Sequence, residues 1–499
     1  MGSIQIEEVD VLLVGAGFGS FTMLNKLRKQ GLNCKIYEKG SKSGGTWYWN
    51  CYPGARVDSD SPIYQLFDKE LWEDFTFKER FPGGREIRRY FEYVEQKWDV
   101  RKDLEFDKHV DGATFDKQRN QWLVECSDGS EIYCRWFIPC IGFASRRFTP
   151  PFNGLSNFKG DIYHTATWPQ HGVNLKNKRV GQIGTGATGI QVIQTIGPVV
   201  NHLTVYQRTP NYALPMKQGL LDPEEEARKK AEGKYEEAIF ISGSATTKTC
   251  FLNKPPTMKP TIFGVNQCSN EFPTPKKQKL LAPEIPPHPW GTKRPSLEQN
   301  IYEVFSLPHI DIIDVNESPI LEVSEKGIKT KEGEVEFDVL ILATGFDSCT
   351  GSLAQLNIQG IDGRTIAQKW KDGTRTAMGI AMNNFPNMFF LYGPQAPTAF
   401  SNGPSCTQFQ AEYVADTIKG LSEKNLTYFE AKSEAEEDWY RRMSDAWNNS
   451  LFPLAKSWYQ GANIPGRKVE PLNWAGGIPE YTATLARSNE NDYQGWIVA

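Results

Sequence analysis

The stretch VDVLLVGAGFGS, Val9 to Ser20, decides how the rest of the chain is read. Val9 to Val14 is apolar apart from Asp10 and reads as a buried strand. Gly15-Ala16-Gly17 follows at once, and then Phe21, Leu24 and Leu27 recur at helical spacing, so a helix with one apolar face is expected. A second apolar strand, CKIYEKG, ends in Glu38, about 20 residues past the glycines. Strand, glycine turn, helix, strand and acid form a βαβ dinucleotide-binding unit. The glycines let the backbone approach a pyrophosphate at the helix N-terminus, and the acid binds ribose hydroxyls. Ser20 stands at the third glycine position and is small enough to keep the helix packed on the strand.

The pattern recurs in KRVGQIGTGATGIQVIQTIG, where Gly184, Gly186 and Gly189 are all present and Thr185 lies between the first two. Its second strand, HLTVYQRTP, ends in Gln207, Arg208 and Thr209, with an arginine where the first unit has an acid. A carboxylate there repels a 2′-phosphate, whereas a guanidinium binds it in a fork. The first loop therefore reads as an FAD site and the second as an NADPH site. The competing reading of Arg208 is an ordinary solvated charge at a strand end.

Each unit is followed by a hairpin and an apolar strand ending in Gly-Phe. WLVECSDGSEIYCRW turns at Asp128-Gly129 and runs into FIPCIGF; LEVSEKGIKTKEGEVEF turns at Glu332-Gly333 and is followed by VLILATGF. The expected fold is α/β, with two Rossmann-like dinucleotide-binding domains. The first part of the FAD domain is expected over 1–144 and the NADP domain over 145–346, with a helical insertion at about 215–290. Residues 347–499 complete the FAD domain, the alternative being a separate layer. Within the insertion, DPEEEARKKAEGKYEEAIF reads as a polar helix with a capping box, Asp222 at the cap and Glu225 three residues on. The Pro- and Lys-rich stretch after it has a second reading, an irregular surface loop.

Composition narrows the function. A chain of 499 residues is long for one domain. The net charge of −4 and pI near 6.0 argue against nucleic acid as a partner. Aromatic residues make up 12% and include 14 Trp, enough to line a roomy pocket as well as a core. No apolar run reaches membrane-spanning length, and the acidic N-terminus leads into a strand rather than a signal peptide. The nine Cys show no CxxC, which suits the cytoplasm and makes the Asn425 sequon a chance occurrence; the six His show no metal-binding pairing, so no metal is expected.

Between the two loops lies FKGDIYHTATWP, Phe158 to Pro169, which taken alone reads as a loop around a packed His164. It matches F-x-G-x-x-x-H-x-x-x-W-P, the fingerprint of type I Baeyer–Villiger monooxygenases. GGTWYWNCYPGARVD, Gly44 to Asp58, resembles that family's second signature. The resemblance continues through WGTKRP, ILATGFD, LYGPQAPTAFSNGP and SWYQGANIPG, nearly the whole chain. It implies NADPH- and O2-dependent conversion of a ketone to an ester or lactone, through a C4a-peroxyflavin and a tetrahedral peroxide adduct. It implies Arg294 as the active-site cation and Asp58 as the carboxylate that orients it. Around FAD it implies Gly15, Gly17, Ser20, Glu38, Thr46, Trp47, Asp58, Tyr64 and Val110. Around NADP it implies Arg56, Gly184, Thr185, Gly186, Gly189, Arg208, Thr209, Lys293, Arg294 and Trp458. Trp458 is expected on a mobile loop near 456–468, and His164 at a hinge rather than at the reacting atoms. In isolation Lys293-Arg294-Pro295 reads as a surface turn and Trp458 as core.

The insertion looks shorter than in the well-known cycloketone enzymes, which implies a more open pocket and a bulkier ketone. The resemblance leaves the protein a monomer or weak homo-oligomer. Two other functions compete: a flavin-dependent N- or S-oxygenase, which needs no arginine at the flavin, and an uncoupled NADPH oxidase or NADPH-binding sensor.

Overall fold

A computed structural model describes residues 6–244, 274–398, 401–491 and 493–499. Two sheets dominate. The first has seven strands in the order Asn357–Gln359, Val110–Asp116, Gln121–Cys126, Glu131–Pro139, Glu7–Val14, Cys34–Tyr37, Leu104–Glu105. Its fifth strand, Glu7–Val14, pairs in parallel with Cys34–Tyr37 on one side (Val11 opposite Cys34) and Glu131–Pro139 on the other (Val11 opposite Trp136). Covered on both faces, that strand buries Val11, Leu12 and Leu13 completely, as its unbroken apolar run requires. The second sheet is wholly parallel, in the order Ile310–Asp314, His202–Gln207, Arg179–Ile183, Val339–Leu342, Asp161–His164. In each sheet the glycine loop leaves the carboxyl end of a strand flanked on one side by the next strand of its own βαβ unit and on the other by a strand from much later in the chain, the kind of switch point at which open α/β sheets bind ligands.

The helix after the first loop, Phe18–Arg28, was expected to bury one face. Its first seven residues are all buried. Helix Gly403–Glu423 packs along its outer side, with Gln30 Nε2 donating to Ala415 O at 2.9 Å just beyond the helix end. The chain after 347 thus returns to the first unit: Asn357–Gln359 pairs with Val110–Asp116, and Tyr413, Trp439, Tyr481 and Trp496 share one core with Val11 and Leu24.

Both hairpins form, with Gly129 and Gly333 at φ +80° and +125° in their turns. They differ in one respect. In the first, Glu131–Pro139 is both the hairpin's second strand and the parallel neighbour of Glu7–Val14. In the second, Gly333–Glu336 stays in a small three-stranded sheet and a separate strand, Val339–Leu342, enters the parallel sheet.

The insertion contributes helices Pro223–Ala231, Lys234–Ser244 and Pro275–Leu281. Asp222 caps the first through a hydrogen bond from Glu224 N at 3.0 Å; the expected capping box is replaced, since Glu225 turns to Lys229 at 3.2 Å. Most of the Pro- and Lys-rich stretch, 245–273, lies outside the described residues. The first helix is tied to the FAD-side unit, because Lys230 Nζ donates to Phe75 O at 2.9 Å and to Thr76 Oγ1 at 2.7 Å.

Candidate active site

One cavity of about 980 Å³ lies between the two sheets, and both glycine loops open into it. Of the residues expected around FAD, Gly15, Gly17, Glu38, Thr46, Trp47, Asp58, Tyr64 and Val110 line it. Of those expected around NADP, Arg56, Gly184, Thr185, Gly186, Arg208, Thr209, Lys293, Arg294 and Trp458 line it too. Two of the expected residues do not reach the cavity. Ser20 is fully buried with its hydroxyl donating to Gly15 O, and Gly189 packs where a Cβ would strike the Gly184 carbonyl oxygen. Both therefore serve the close approach of helix to strand that the third position of the fingerprint demands.

The loop geometry leaves room for nucleotide backbone. Gly15 and Gly184 sit at φ +98° and +107°, where a side chain is strained. A Cβ on Gly17 would lie 3.4 Å from Gly45 Cα, so the first loop and the Gly44-Gly45 turn confront each other across a narrow gap. A Cβ on Gly186 would meet no protein atom within 4 Å; it would project into the cavity. Glu38 is buried at the end of its strand and accepts from Ala16 N and Gly40 N, both at 2.7 Å. Burial raises its carboxyl above the ordinary value, and those two amide bonds only partly offset this.

Trp47 donates its indole N–H to Tyr64 Oη at 3.1 Å, and the rings meet edge to face. Burial pushes the Tyr64 phenol up. Arg56 is committed to the protein: it pairs with Glu79 at 3.1 Å and donates to Phe81 O at 3.0 Å.

Arg294 and Asp58 form a two-pronged pair. Arg294 Nε donates to Asp58 Oδ2, and Nη2 donates to Oδ1 at 2.8 Å. The two side chains keep 35% and 29% of their surface open, and the open side is the cavity. Burial alone would raise the Asp58 carboxyl, but the Arg294 charge and its hydrogen bonds outweigh it and hold the carboxyl below its ordinary value. Asp58 in turn raises Arg294 further, so the pair stays ionised.

Lys293 is half-buried and its ammonium is depressed, first by burial and then by Arg208 close by. The described residues give neither cation a carboxylate partner. Two adjacent cations without a counter-charge fit a phosphate bound between them.

His164 is away from this chemistry. Its Nδ1 accepts from Ala166 N at 3.1 Å, and its Nε2 lies 3.2 Å from both Phe148 O and Thr344 Oγ1. Burial depresses the ring, with the Arg147 charge acting the same way. The neutral imidazole pins the last strand of the second sheet to the segments that join the sheets. At the other end of the same string, Cys51 Sγ donates to Trp168 O at 3.2 Å and Gln170 Nε2 to Tyr48 O at 2.6 Å, so the string straddles both units.

Trp458 begins a short turn, Trp458–Gln460, and stacks on Phe143 with centroids 5.3 Å apart and planes 18° apart. Phe143 in turn meets Tyr392 edge-on at 5.2 Å. Sequence reading missed Phe143, Tyr392 and the segment Ala343–Phe346 as cavity wall. The signal for them lies in the Gly-Phe that closes each apolar strand, Gly142-Phe143 and Gly345-Phe346. Gly44 and Gly45 line the cavity as well.

Two dinucleotide loops facing one cavity, with a charged pair between them, define a class of oxidoreductase that brings two dinucleotides together. The family model described as an NAD(P)-binding Rossmann-like domain matches residues 13–76. The chain is 42% identical to the FAD-binding monooxygenase VdtE of Byssochlamys spectabilis, over 98% of this chain and 94% of that one. It is 41% identical to cyclopentanone 1,2-monooxygenase of Comamonas sp., over 99% and 96%. The solved structure of cyclohexanone monooxygenase from Rhodococcus sp. Phi1 bound to NADP+ superposes with a TM-score of 0.93 at 32% identity, covering 99% of each chain. This chain belongs to the Baeyer–Villiger monooxygenase family.

Proposed function

We propose that the protein uses NADPH and O2 to convert a ketone to an ester or lactone. FAD is held by the first loop, in a domain of residues 1–144 and 347–499, and NADPH by the second, in a domain of residues 145–346. The observation that carries this reading is the Asp58–Arg294 fork, ionised and open to the cavity that both glycine loops share.

FAD held there would take two electrons from NADPH and activate O2, so that one oxygen atom enters beside the ketone carbonyl with migration of one carbon substituent and the other leaves as water. The chain's residues do the rest. Arg294 places a permanent, forked cation where negative charge develops on the carbonyl oxygen. Asp58 fixes that fork and balances its charge in the resting site. Gly15, Gly17 and Glu38 receive the FAD pyrophosphate and ribose, with Thr46, Trp47, Tyr64 and Val110 around them. Gly184, Thr185, Gly186 and Thr209 receive the NADPH pyrophosphate side. Arg208 and Lys293 hold the 2′-phosphate. Arg56, held by Glu79 and Phe81, acts as a fixed wall rather than a free phosphate ligand. The loop 456–468 opens and closes over the coenzyme and shields the reacting oxygen from water. The protein works as a monomer or weak homo-oligomer in the cytoplasm, which its free described cysteines suit.

The experiment is product analysis with NADPH and air against cyclic, aryl and polycyclic ketones, with a thioether run beside them. Ester or lactone from at least one ketone supports the proposal. Sulfoxide without any ester moves the protein to the N- and S-oxygenases, and NADPH consumption that yields only hydrogen peroxide makes it an oxidase.

A further inference from the structure

Two segments join the sheets, and they run side by side. Arg147 bridges Phe346 in antiparallel fashion, Phe148 N donates to Gly345 O at 2.9 Å, and Asp347 N donates to Arg146 O at 2.9 Å. Asp347 sits at this crossing with only a tenth of its side chain exposed. Its carboxylate meets cations from two separate places. Arg467, at the end of the Trp458 loop, approaches Oδ1 to 2.5 Å, and Arg146, from the first joining segment, approaches Oδ2 to 3.6 Å. Next to it, Asn463 of the same loop donates to Phe346 O at 2.8 Å. Gly351 is needed to make room, since a Cβ there would run into the Asp347 carboxyl.

One buried carboxylate thus fastens the loop to both joining segments. Any rotation of the second sheet against the first passes through those segments, and must displace Asp347 or drag Arg467 with it. We propose that Asp347 is a positioning residue that couples the relative setting of the two nucleotide units to the closure of the 456–468 loop. The inference rests on the proposed function for the motion of the loop and on the contacts of Asp347 for the coupling. Asp347 touches no reacting atom; it acts through Arg467 and the turn that carries Trp458. When the units are set for coenzyme retention the pair holds the loop down, and when they swing the loop loosens with them.

The test uses the FAD-loaded full chain and three variants: Asp347→Asn, which keeps the shape, Arg467→Met, which keeps the stem, and the double change. Hydrogen–deuterium exchange over 456–468 is measured with and without NADP+. The parent should show NADP+-dependent protection there of several-fold. Each single variant should lose that dependence, and the double variant should be no worse than the poorer single one. A merely structural role would raise exchange in both conditions while leaving the NADP+ response intact, and that result, or strictly additive effects, overturns the proposal. If Asp347→Asn does not fold, Arg467→Met alone decides. A second measurement, the fraction of NADPH consumed as hydrogen peroxide with a ketone present, should rise several-fold in the variants at an unchanged rate of flavin reduction. Absence of any ester from the parent would sink the ketone reading and leave the exchange test standing.

Discussion

Arg294 and Asp58 hold each other through two parallel bonds, so each substitution there separates a different property. Arg294→Ala should still bind FAD and be bleached by NADPH in stopped flow, while ester yield falls by roughly 10²–10³-fold, the usual loss on removing one donor to a developing oxyanion. Arg294→Lys keeps charge without the fork and should rescue poorly. Near-parental ester formation by Arg294→Ala would refute the role. Asp58→Asn should impair oxygenation less, because in the proposed reading Asp58 holds the cation and does not itself carry the positive charge. It should also alter the acid limb. Asp58 is depressed in the folded protein, so its contribution is complete above the ordinary carboxylate pKa of about 3.9 and is lost as pH falls through the lower folded value. Unfolding midpoints of parent and variant should therefore converge in that acid window. For the coenzyme, Arg208→Ala should raise the NADPH KM about tenfold or more and leave NADH unchanged, since charge-assisted phosphate bonds are worth about 1.5–3 kcal/mol. A parent that accepts NADH equally well would rule out the phosphate site.

The second glycine loop separates binding from folding within one element. Gly186→Ala should fold and keep FAD yet lose NADPH affinity, because its methyl meets only the cavity. Gly189→Ala drives a methyl into the Gly184 carbonyl and should lower stability by about 1–3 kcal/mol, the cost of overpacking, as read by denaturant midpoint. Equal effects of the two would contradict the division. The loop carrying Trp458 invites a further check: Trp458→Ala removes the stack on Phe143 and should divert NADPH to hydrogen peroxide. Unchanged coupling would make that loop wall, not lid. A pH response of the string is expected at His164. Its folded value is depressed, so its stability contribution is present above about 6.5 and is lost as pH falls below it. His164→Asn should show a flatter thermal midpoint across that window. Much of this was legible because glycine spacing and strand-end charge are local chemistry: Gly184 to Gly189 and Arg208 announce themselves within one unit. Trp458 against Phe143 and Tyr392 was not, since those rings come together from three distant segments and no periodicity links them. The capping box at Asp222 failed for a local reason, because a lysine one turn on competes for Glu225.

The two nucleotide units are not consecutive beads. The α/β class and the return of the tail could be read from the repeated strand–glycine–helix pattern and from an apolar chain left over after 347. What could not be read was the extent of the return, because aromatic residues such as Trp439, Tyr481 and Trp496 carry no mark of which core they will enter. Their destination is the core begun by Val11 and Leu24, and the pairing of Asn357–Gln359 with Val110–Asp116 closes that sheet's outer edge. This has a consequence for the chain as it leaves the ribosome. The all-parallel sheet ends at Leu342, so every strand it needs has been made by then. The first-made sheet is still missing an edge strand, the helix over its dinucleotide loop and half its core. The unit synthesised second is therefore the one able to mature first. The unit synthesised first must wait, its apolar helix uncovered and an edge strand unpaired, through the making of more than two hundred further residues, roughly ten to forty seconds at usual elongation rates. Aggregation during expression, and its relief by slower synthesis at lower temperature, should trace to Phe18–Arg28 and Val110–Asp116 rather than to the all-parallel sheet.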